Sequence, residues 1–188
     1  MRPPTDAVDG ERKLPLSLHS INICYDRYLT VSRFRDRLRV HVRRYETNES
    51  GGIYPTKEGV FFTAMSLAKL LSLEKVISEK LKLKLEGGSI GQFKVHVGGG
   101  LYVCMNDVYK HVNLRLYWLP ADANDPIPTK MGVTISPYYW SGLMKSLMEV
   151  REKFDELKDV APCDQGEDHQ NQLGFLACKE CSPFGERT

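Results

Sequence analysis

Pro55-Thr56-Lys57-Glu58-Gly59-Val60 and Pro128-Thr129-Lys130-Met131-Gly132-Val133 differ at one position and lie 73 residues apart in a chain of 188. Each copy keeps the same company. Upstream stands a strand-like run, VHVRRYE over residues 40–46 and VNLRLYW over residues 112–118. Downstream stands a run with apolar residues at helical spacing. One β-then-α unit is therefore written twice, and an internal repeat is the first thing a fold must explain.

Working outward from the first copy, Ile21 and Ile23 alternate with polar residues, and Leu38, Val40 and Val42 alternate with Arg39, His41 and Arg43. A period of two marks half-buried strands with a basic outer face. Arg35-Asp36-Arg37 suits a hairpin tip, 48–52 a loop and 59–62 a short strand. Thr63 is placed to cap a helix that carries Met65, Leu67, Leu70 and Leu71 and is expected to run on toward Leu85, where Gly87-Gly88 stops it. The second copy repeats the order. Phe93, Val95 and Val97 alternate, 101–105 and 112–118 read as strands, 120–126 as a loop and 133–135 as a short strand. Ser136-Pro137 then opens a helix bearing Trp140, Leu143, Leu147, Val150, Phe154 and Leu157, with Trp140 expected in the core.

The expected boundaries are a disordered tail over 1–17, a first unit over 18–86, a second over 87–158, and an acidic, cysteine-containing tail over 159–188. Each unit is short for a stable core, a difficulty that two packed copies would remove.

Net charge is only +2, but its distribution is uneven. Between Arg27 and Arg44 stand seven arginines and one acid, Asp36. The tail from Asp159 holds six acids and two cations. That asymmetry favours a polyanion-binding face. No apolar stretch approaches a membrane span, and no signal peptide is expected from the polar, Pro-rich opening. Five scattered cysteines argue against a disulfide framework and for a reducing compartment.

A basic-tipped hairpin, a strand like D-I-R-E-Y-W, a P-x-(R/K)-x-G-(I/V) motif, and a helix opening with S/N-P-x-x-W resemble the positive cofactor 4 family. These are transcriptional coactivators of RNA polymerase II that bind single-stranded DNA. The resemblance covers about 21–85 and again 90–157. In the second copy the hairpin is about two residues shorter and the later loop about one longer. The resemblance implies an α+β fold of two tandem repeats. Each would be a curved four-stranded antiparallel sheet followed by a helix, and the two would pack as an intramolecular pseudo-dimer. It implies single-stranded DNA or RNA as ligand, RNA polymerase or transcription factors as partners, and the nucleus as location. No enzymatic activity and no cofactor are expected.

Single strands are held by cations on phosphates and by aromatic faces on bases. Carried over by position, the first unit offers Phe34 for stacking. Arg33, Arg35, Arg37, Arg39 and Arg43 lie along its basic stripe, with Tyr45 beside it and Lys57 in the motif. The second offers Arg115, Tyr117, Trp118 and Lys130, with Tyr109 and Lys110 in its hairpin. The family tryptophan is Glu46 in the first unit, and Tyr54 and Glu58 stand where cations are usual. A composite groove follows, arginines from the first unit and tryptophan from the second. An alternative is a protein-interaction module with degenerate grooves.

Cys163, His169, Cys178 and Cys181 are zinc ligands by type. Their spacing, C-x5-H-x8-C-x2-C, is no standard finger, and the expectation is an extended tail with reduced thiols and no metal. No catalytic constellation stands out, and Gly98-Gly99-Gly100 lacks a phosphate-loop setting.

Overall fold

A computed structural model of the chain describes residues 17–169 and 171–185. Apart from Ser17, the N-terminal tail expected over 1–17 lies outside the described residues. Strands β1 (His19–Cys24), β2 (Arg27–Phe34), β3 (Arg37–Thr47) and β4 (Ile53–Phe62) form one antiparallel sheet in that order. Helices α1 (Ala64–Ser72) and α2 (Glu74–Leu85) follow. Strands β5 (Phe93–Gly98), β6 (Leu101–Met105), β7 (Val112–Trp118) and β8 (Ile127–Ile135) form a second sheet of the same order. Helices α3 (Pro137–Lys153) and α4 (Asp155–Lys158) follow that.

The registers repeat. Tyr28 faces Arg43 in the first sheet and Tyr102 faces Arg115 in the second, a hairpin two residues shorter. Tyr45 faces Pro55 and Tyr117 faces Pro128, a connection one residue longer. At the β2–β3 tip Arg35 and Asp36 both take positive φ, 48° and 58°, the conformation of a tight two-residue hairpin turn.

The duplicated motif is a bulge inside a strand, not a loop before one. Arg43 pairs with Gly59 and Tyr45 with Pro55, so Arg44 alone faces Thr56, Lys57 and Glu58. In the second sheet Leu116 alone faces Thr129, Lys130 and Met131. The same bonds hold both bulges. Arg43 Nη1 donates to the Thr56 carbonyl at 2.6 Å and Arg115 Nη1 to that of Thr129 at 2.6 Å. The threonine hydroxyls donate across to the carbonyls of Arg44 and Leu116, at 3.0 and 2.8 Å. They accept from the N–H groups of Glu58 and Met131, each at 3.1 Å. The arginine crosses the motif glycine closely: a Cβ on Gly59 would lie 2.7 Å from Arg43 Cβ. Proline stands where pairing resumes beyond the bulge, threonine and arginine pin the bulge, and glycine lets the arginine pass. The short strands expected at 59–62 and 133–135 are therefore longer, because the pinned bulge keeps the chain in the sheet.

Thr63 caps α1 in a reciprocal box with Ser66. The helix does not run on to Leu85. Ser72 Oγ donates to the Lys69 carbonyl at 2.7 Å, and the Leu73 N–H divides between Lys69 and Leu70 at 3.1 Å each. That competition tightens the turn and starts a new helix at Glu74. Gly87 (φ 89°) ends α2, with Gly88 N–H on the Leu83 carbonyl and Gly87 N–H on that of Lys84, a Schellman closure. The second helix also breaks once, at extended Phe154.

The inner faces share one core. Leu29, Val31, Val42 and Phe62 of the first sheet belong to the same apolar cluster as Val103, Leu114 and Ile135 of the second. The helices cross over. Following the second sheet, α3 packs on β1 and β2 of the first; following the first, α1 packs on β5 as well as on β3 and β4. Trp140 is 2% exposed, as expected of a core residue, and its indole N–H donates to Ser78 at 3.2 Å. Among the described residues no helix is long and apolar enough to cross a membrane.

The tail is not extended. It forms 3-10 turns at Cys163–Gln165 and Glu167–His169, then helix α5 (Gln172–Ala177). It lies against α1 and the Gly98–Gly100 corner. Asp164 pairs with Lys69, Glu180 accepts from the Thr63 hydroxyl at 3.1 Å, and the Glu180 carbonyl accepts from Gly99 N–H at 2.8 Å.

Candidate nucleic-acid interface

Strand alternation assigns each side chain to a face. With Leu29, Val31, Leu38, Val40, Val42, Val60 and Phe62 turned into the core, the opposite face of the first sheet carries Tyr28, Ser32 and Phe34 of β2. It also carries Arg37, Arg39, His41 and Arg43 of β3 and Phe61 of β4. The Arg39 guanidinium lies between two rings, 4.4 Å from the Phe34 centroid and 4.5 Å from that of Phe61. Arg35 also lies over the Phe34 ring, at 5.3 Å. Each such contact stabilises by roughly 0.5–1 kcal/mol at exposed sites and fixes the guanidinium plane. Phe34 remains 48% exposed, so its ring is held but still accessible.

His41 sits beside this cluster, its Nε2 2.9 Å from Ser32 Oγ. Burial, then the charges of Arg43 and Arg39, push its pKa down to about 4. It is neutral at physiological pH and does not add to the positive charge around it.

The opposite face of the second sheet repeats the plan with other residues. Lys94 Nζ lies over two rings, 4.6 Å from Tyr102 and 4.1 Å from Tyr117. Tyr102 and Tyr117 pack edge-on at 4.8 Å, as Tyr28 and Tyr45 do at 5.3 Å. The hydroxyl of Tyr117 meets Cys104 Sγ at 3.3 Å, where that of Tyr45 meets Thr30 Oγ1 at 3.4 Å. Burial and the Cys104 contact push the Tyr117 phenol up to about 12.

Not every expected ligand residue stands on these faces. Arg33 alternates to the core side, where it makes a bidentate pair with Glu156 of α4 at 2.6 and 3.2 Å. Tyr45 is buried, its ring used for packing. Arg43 and Arg115 each spend a nitrogen on the bulge. Arg37, Lys57, Lys110 and Lys130 are exposed and make no ion pair among the described residues. Tyr109 is exposed in the β6–β7 loop, which Asn106 shapes by accepting from the Val108 and Tyr109 N–H groups. Trp118 is 57% exposed at the end of β7, and alternation puts it on the side opposite Tyr117 and Arg115. Among the described residues no ring contact or hydrogen bond joins Trp118 to the first-sheet cluster.

Phe61, Lys94 and Tyr102 were not singled out from sequence, although the signal was present. Phe61 lies between Val60 and Phe62, Lys94 between Phe93 and Val95, and Tyr102 between Leu101 and Val103, so alternation turns each outward.

The four tail residues expected to be separate thiols and an imidazole come together, with their donor atoms all within 4.8 Å of one another. No protein-family model matches the chain. No curated protein matches it in sequence.

Proposed function

We propose that the chain is a single-stranded nucleic-acid-binding protein with two tandem positive-cofactor-4-like units packed as an intramolecular pseudo-dimer. It would act as a coactivator of transcription or in genome maintenance, with the nucleus as its place of work and no catalytic role. The observation that carries this reading is a cation held between aromatic rings on the solvent side of both sheets: Arg39 between Phe34 and Phe61, Lys94 between Tyr102 and Tyr117. Flat rings beside fixed cations are what bases and phosphates need, and neither reads base edges, so binding should be tolerant of sequence. The crossed helices and common core support the pseudo-dimer.

The test is fluorescence anisotropy of a labelled single strand of about 20 nucleotides across a salt series, with duplex and RNA competitors. Tight binding that favours the single strand and falls steeply with salt is expected. Equal affinity for duplex and single strand at moderate salt would sink the reading.

A second reading has its own support. Arg33 is paired with Glu156, and Arg44 is surrounded by Asp26, Glu46 and Glu58. Cations neutralised at home suit a module that contacts polymerase or transcription factors. Charge reversal of Arg35, Arg37 and Arg39 together separates the two readings: nucleic-acid binding collapses under the first, and protein association survives under the second.

A further inference from the structure

Described residues beyond Leu157 have almost no core of their own. Between Lys158 and Gly185 only Pro162 is buried, and Leu173 is 80% exposed. Yet the segment turns twice, forms a short helix and returns to the body of the protein. Apolar burial does not account for that order, and segments this small are ordinarily fastened by a disulfide or a metal. What the turns bring together is Cys163, His169, Cys178 and Cys181.

Their donor atoms lie within 4.8 Å of one another, near the edge lengths of a tetrahedral zinc site. With zinc–sulfur bonds of about 2.3 Å and zinc–nitrogen bonds of about 2.0–2.1 Å, tetrahedron edges come to about 3.8 Å for sulfur–sulfur and about 3.6 Å for sulfur–nitrogen. Here Cys163 Sγ stands 3.3 Å from Cys178 Sγ and 3.7 Å from His169 Nε2. Cys178 and Cys181 share a turn closed by Ser182 N–H on the Cys178 carbonyl at 2.7 Å. His169 Nδ1 is buried without a hydrogen-bond partner among the described residues, while the ring is placed by its Nε2 contact with Cys163 and an edge-on contact with Phe175 at 6.1 Å.

We propose that Cys163, His169, Cys178 and Cys181 bind one zinc ion as a structural Cys3His site that clips the C-terminal segment onto the body of the protein. Three thiolates and one neutral imidazole form a complete soft-donor set with no position left for substrate, which separates a structural site from a catalytic one. Binding releases the three thiol protons, so affinity rises with pH. The clip closes where α1 of the first unit meets β5 of the second. Asp164, next to the first ligand, pairs with Lys69 of α1. Glu180, next to the last, holds the Thr63 hydroxyl by its side chain and the Gly99 N–H by its carbonyl. This site does not depend on the nucleic-acid reading.

The test uses the full chain, purified without chelator under reducing conditions. Elemental analysis should find one zinc per chain. Replacement by cobalt should give the visible bands of tetrahedral cobalt and a thiolate charge-transfer band. Cys178→Ser with Cys181→Ser should abolish both signals. His169→Cys, which keeps four soft donors, should retain the metal, whereas His169→Ala should weaken it. To separate metal loss from misfolding of a variant, wild-type protein is also titrated with a strong chelator. Loss of zinc should expose the chain to protease beyond Val160 while the strand signal in circular dichroism persists. Wild-type protein that is folded yet takes up neither zinc nor cobalt would overturn the proposal. So would a zinc content unchanged in the Cys178→Ser/Cys181→Ser variant, or a Cys163–Cys178 disulfide found by mass spectrometry after blocking free thiols.

Discussion

The account of the duplicated motif makes a stringent prediction about its two glycines. Alanine at Gly59 would bring a methyl group to 2.7 Å from Arg43 Cβ and Cγ and 2.8 Å from its Cα. Carbon atoms prefer separations of about 3.5–4.0 Å, so β3 or β4 must move. Overpacking of this kind costs about 1–3 kcal/mol. Displacing Arg43 from the Thr56 carbonyl adds up to about 1.5–3 kcal/mol for a charged hydrogen bond. Against this, alanine restricts the unfolded chain and gives back about 0.4–1 kcal/mol. A net loss of roughly 2–4 kcal/mol is expected. The second copy clashes differently: a Cβ on Gly132 meets the Leu114 carbonyl oxygen at 2.9 Å, Arg115 Cζ at 3.0 Å and Arg115 Nε at 3.1 Å. Two of those three contacts are the far end of a side chain that Arg115→Ala removes. In the first copy Arg43→Ala leaves Cβ and Cα in place. A double-mutant cycle should therefore show coupling of about 1 kcal/mol between 115 and 132 and little between 43 and 59. Gly142, in α3 with nothing within 4 Å of its Cβ position, is the control, and Gly142→Ala should stabilise by about 0.5–1 kcal/mol. The assay is urea unfolding followed by tryptophan fluorescence and far-ultraviolet circular dichroism, with coincident transitions required. If Gly59→Ala is as harmless as Gly142→Ala, or if the two cycles show equal coupling, the pinned bulge is wrong.

Other consequences are independent of that one. His41 titrates near 4 in the folded state and near 6.5 when unfolded, so below about pH 6.5 the unfolded chain binds a proton that the folded chain refuses. Its contribution to stability is full above that pH and is lost as pH falls toward 4, by up to about 3 kcal/mol. His41→Gln should flatten this part of the pH–stability curve, and a wild-type imidazole that titrates near 6.5 by NMR would refute the assignment. Arg39→Ala and Phe61→Ala should each weaken single-strand binding at least several-fold, with Arg39→Ala also reducing the salt slope by about 0.7 if it contacts one phosphate. Unchanged anisotropy titrations for both variants would remove the first-sheet cluster from the interface. Thr63→Ala removes a side-chain cap and should destabilise by about 1 kcal/mol, read from the urea midpoint. Because Thr63 also donates to Glu180, the same variant should speed proteolysis of the tail, and an unchanged cleavage rate would show that contact to be dispensable.

Where sequence and structure agree, local periodicity decided the matter. Leu38, Val40 and Val42 alternate because they line a sheet face, and Thr63 and Gly87-Gly88 cap helices through their own short-range bonds. Most of the differences come from bonds between residues distant in sequence. The P-T-K stretch shows no strand pattern of its own, because proline and lysine are poor strand formers, yet an arginine from the neighbouring strand holds it in the sheet. Ser72 ends a helix whose leucine pattern continues without interruption. Arg33 reads as one of a stripe of equals, but the alternation that turns Arg35's neighbours outward puts Arg33 on the side of Glu156. The tail shows the same limit most clearly. Cysteines and a histidine with five, eight and two residues between them match no familiar finger, and only the path of the chain through two 3-10 turns and α5 brings them together.

The two units share the sheet order and the bonds of the bulge, so the differences that bear on the site lie in what that scaffold displays. Arg44, Glu46 and Glu58 of the first unit occupy the positions of Leu116, Trp118 and Met131 in the second. In the first, the three form an ionic cluster with Asp26, Arg44 lying 2.6 Å from Asp26, 3.3 Å from Glu58 and 3.6 Å from Glu46. In the second, the same strand end is apolar and open, with Trp118 and Met131 both exposed. A chain of phosphates is repelled by carboxylates, and a base gains about 1–3 kcal/mol from an aromatic platform. Under the proposed function, a strand crossing the molecule therefore meets exposed arginines and Phe34 at the hairpin tip of one unit and, where it passes round the end of β7 to the side opposite Tyr117, an open indole of the other. Two identical subunits would offer the same contacts twice, in opposite directions. Under that function, a pseudo-dimer within one chain lets each half lose what the other keeps, and the consequence would be a site with a polarity. A strand labelled at its 5′ end and one labelled at its 3′ end should quench Trp118 fluorescence unequally. Equal quenching from both ends would mean that the two halves bind independently.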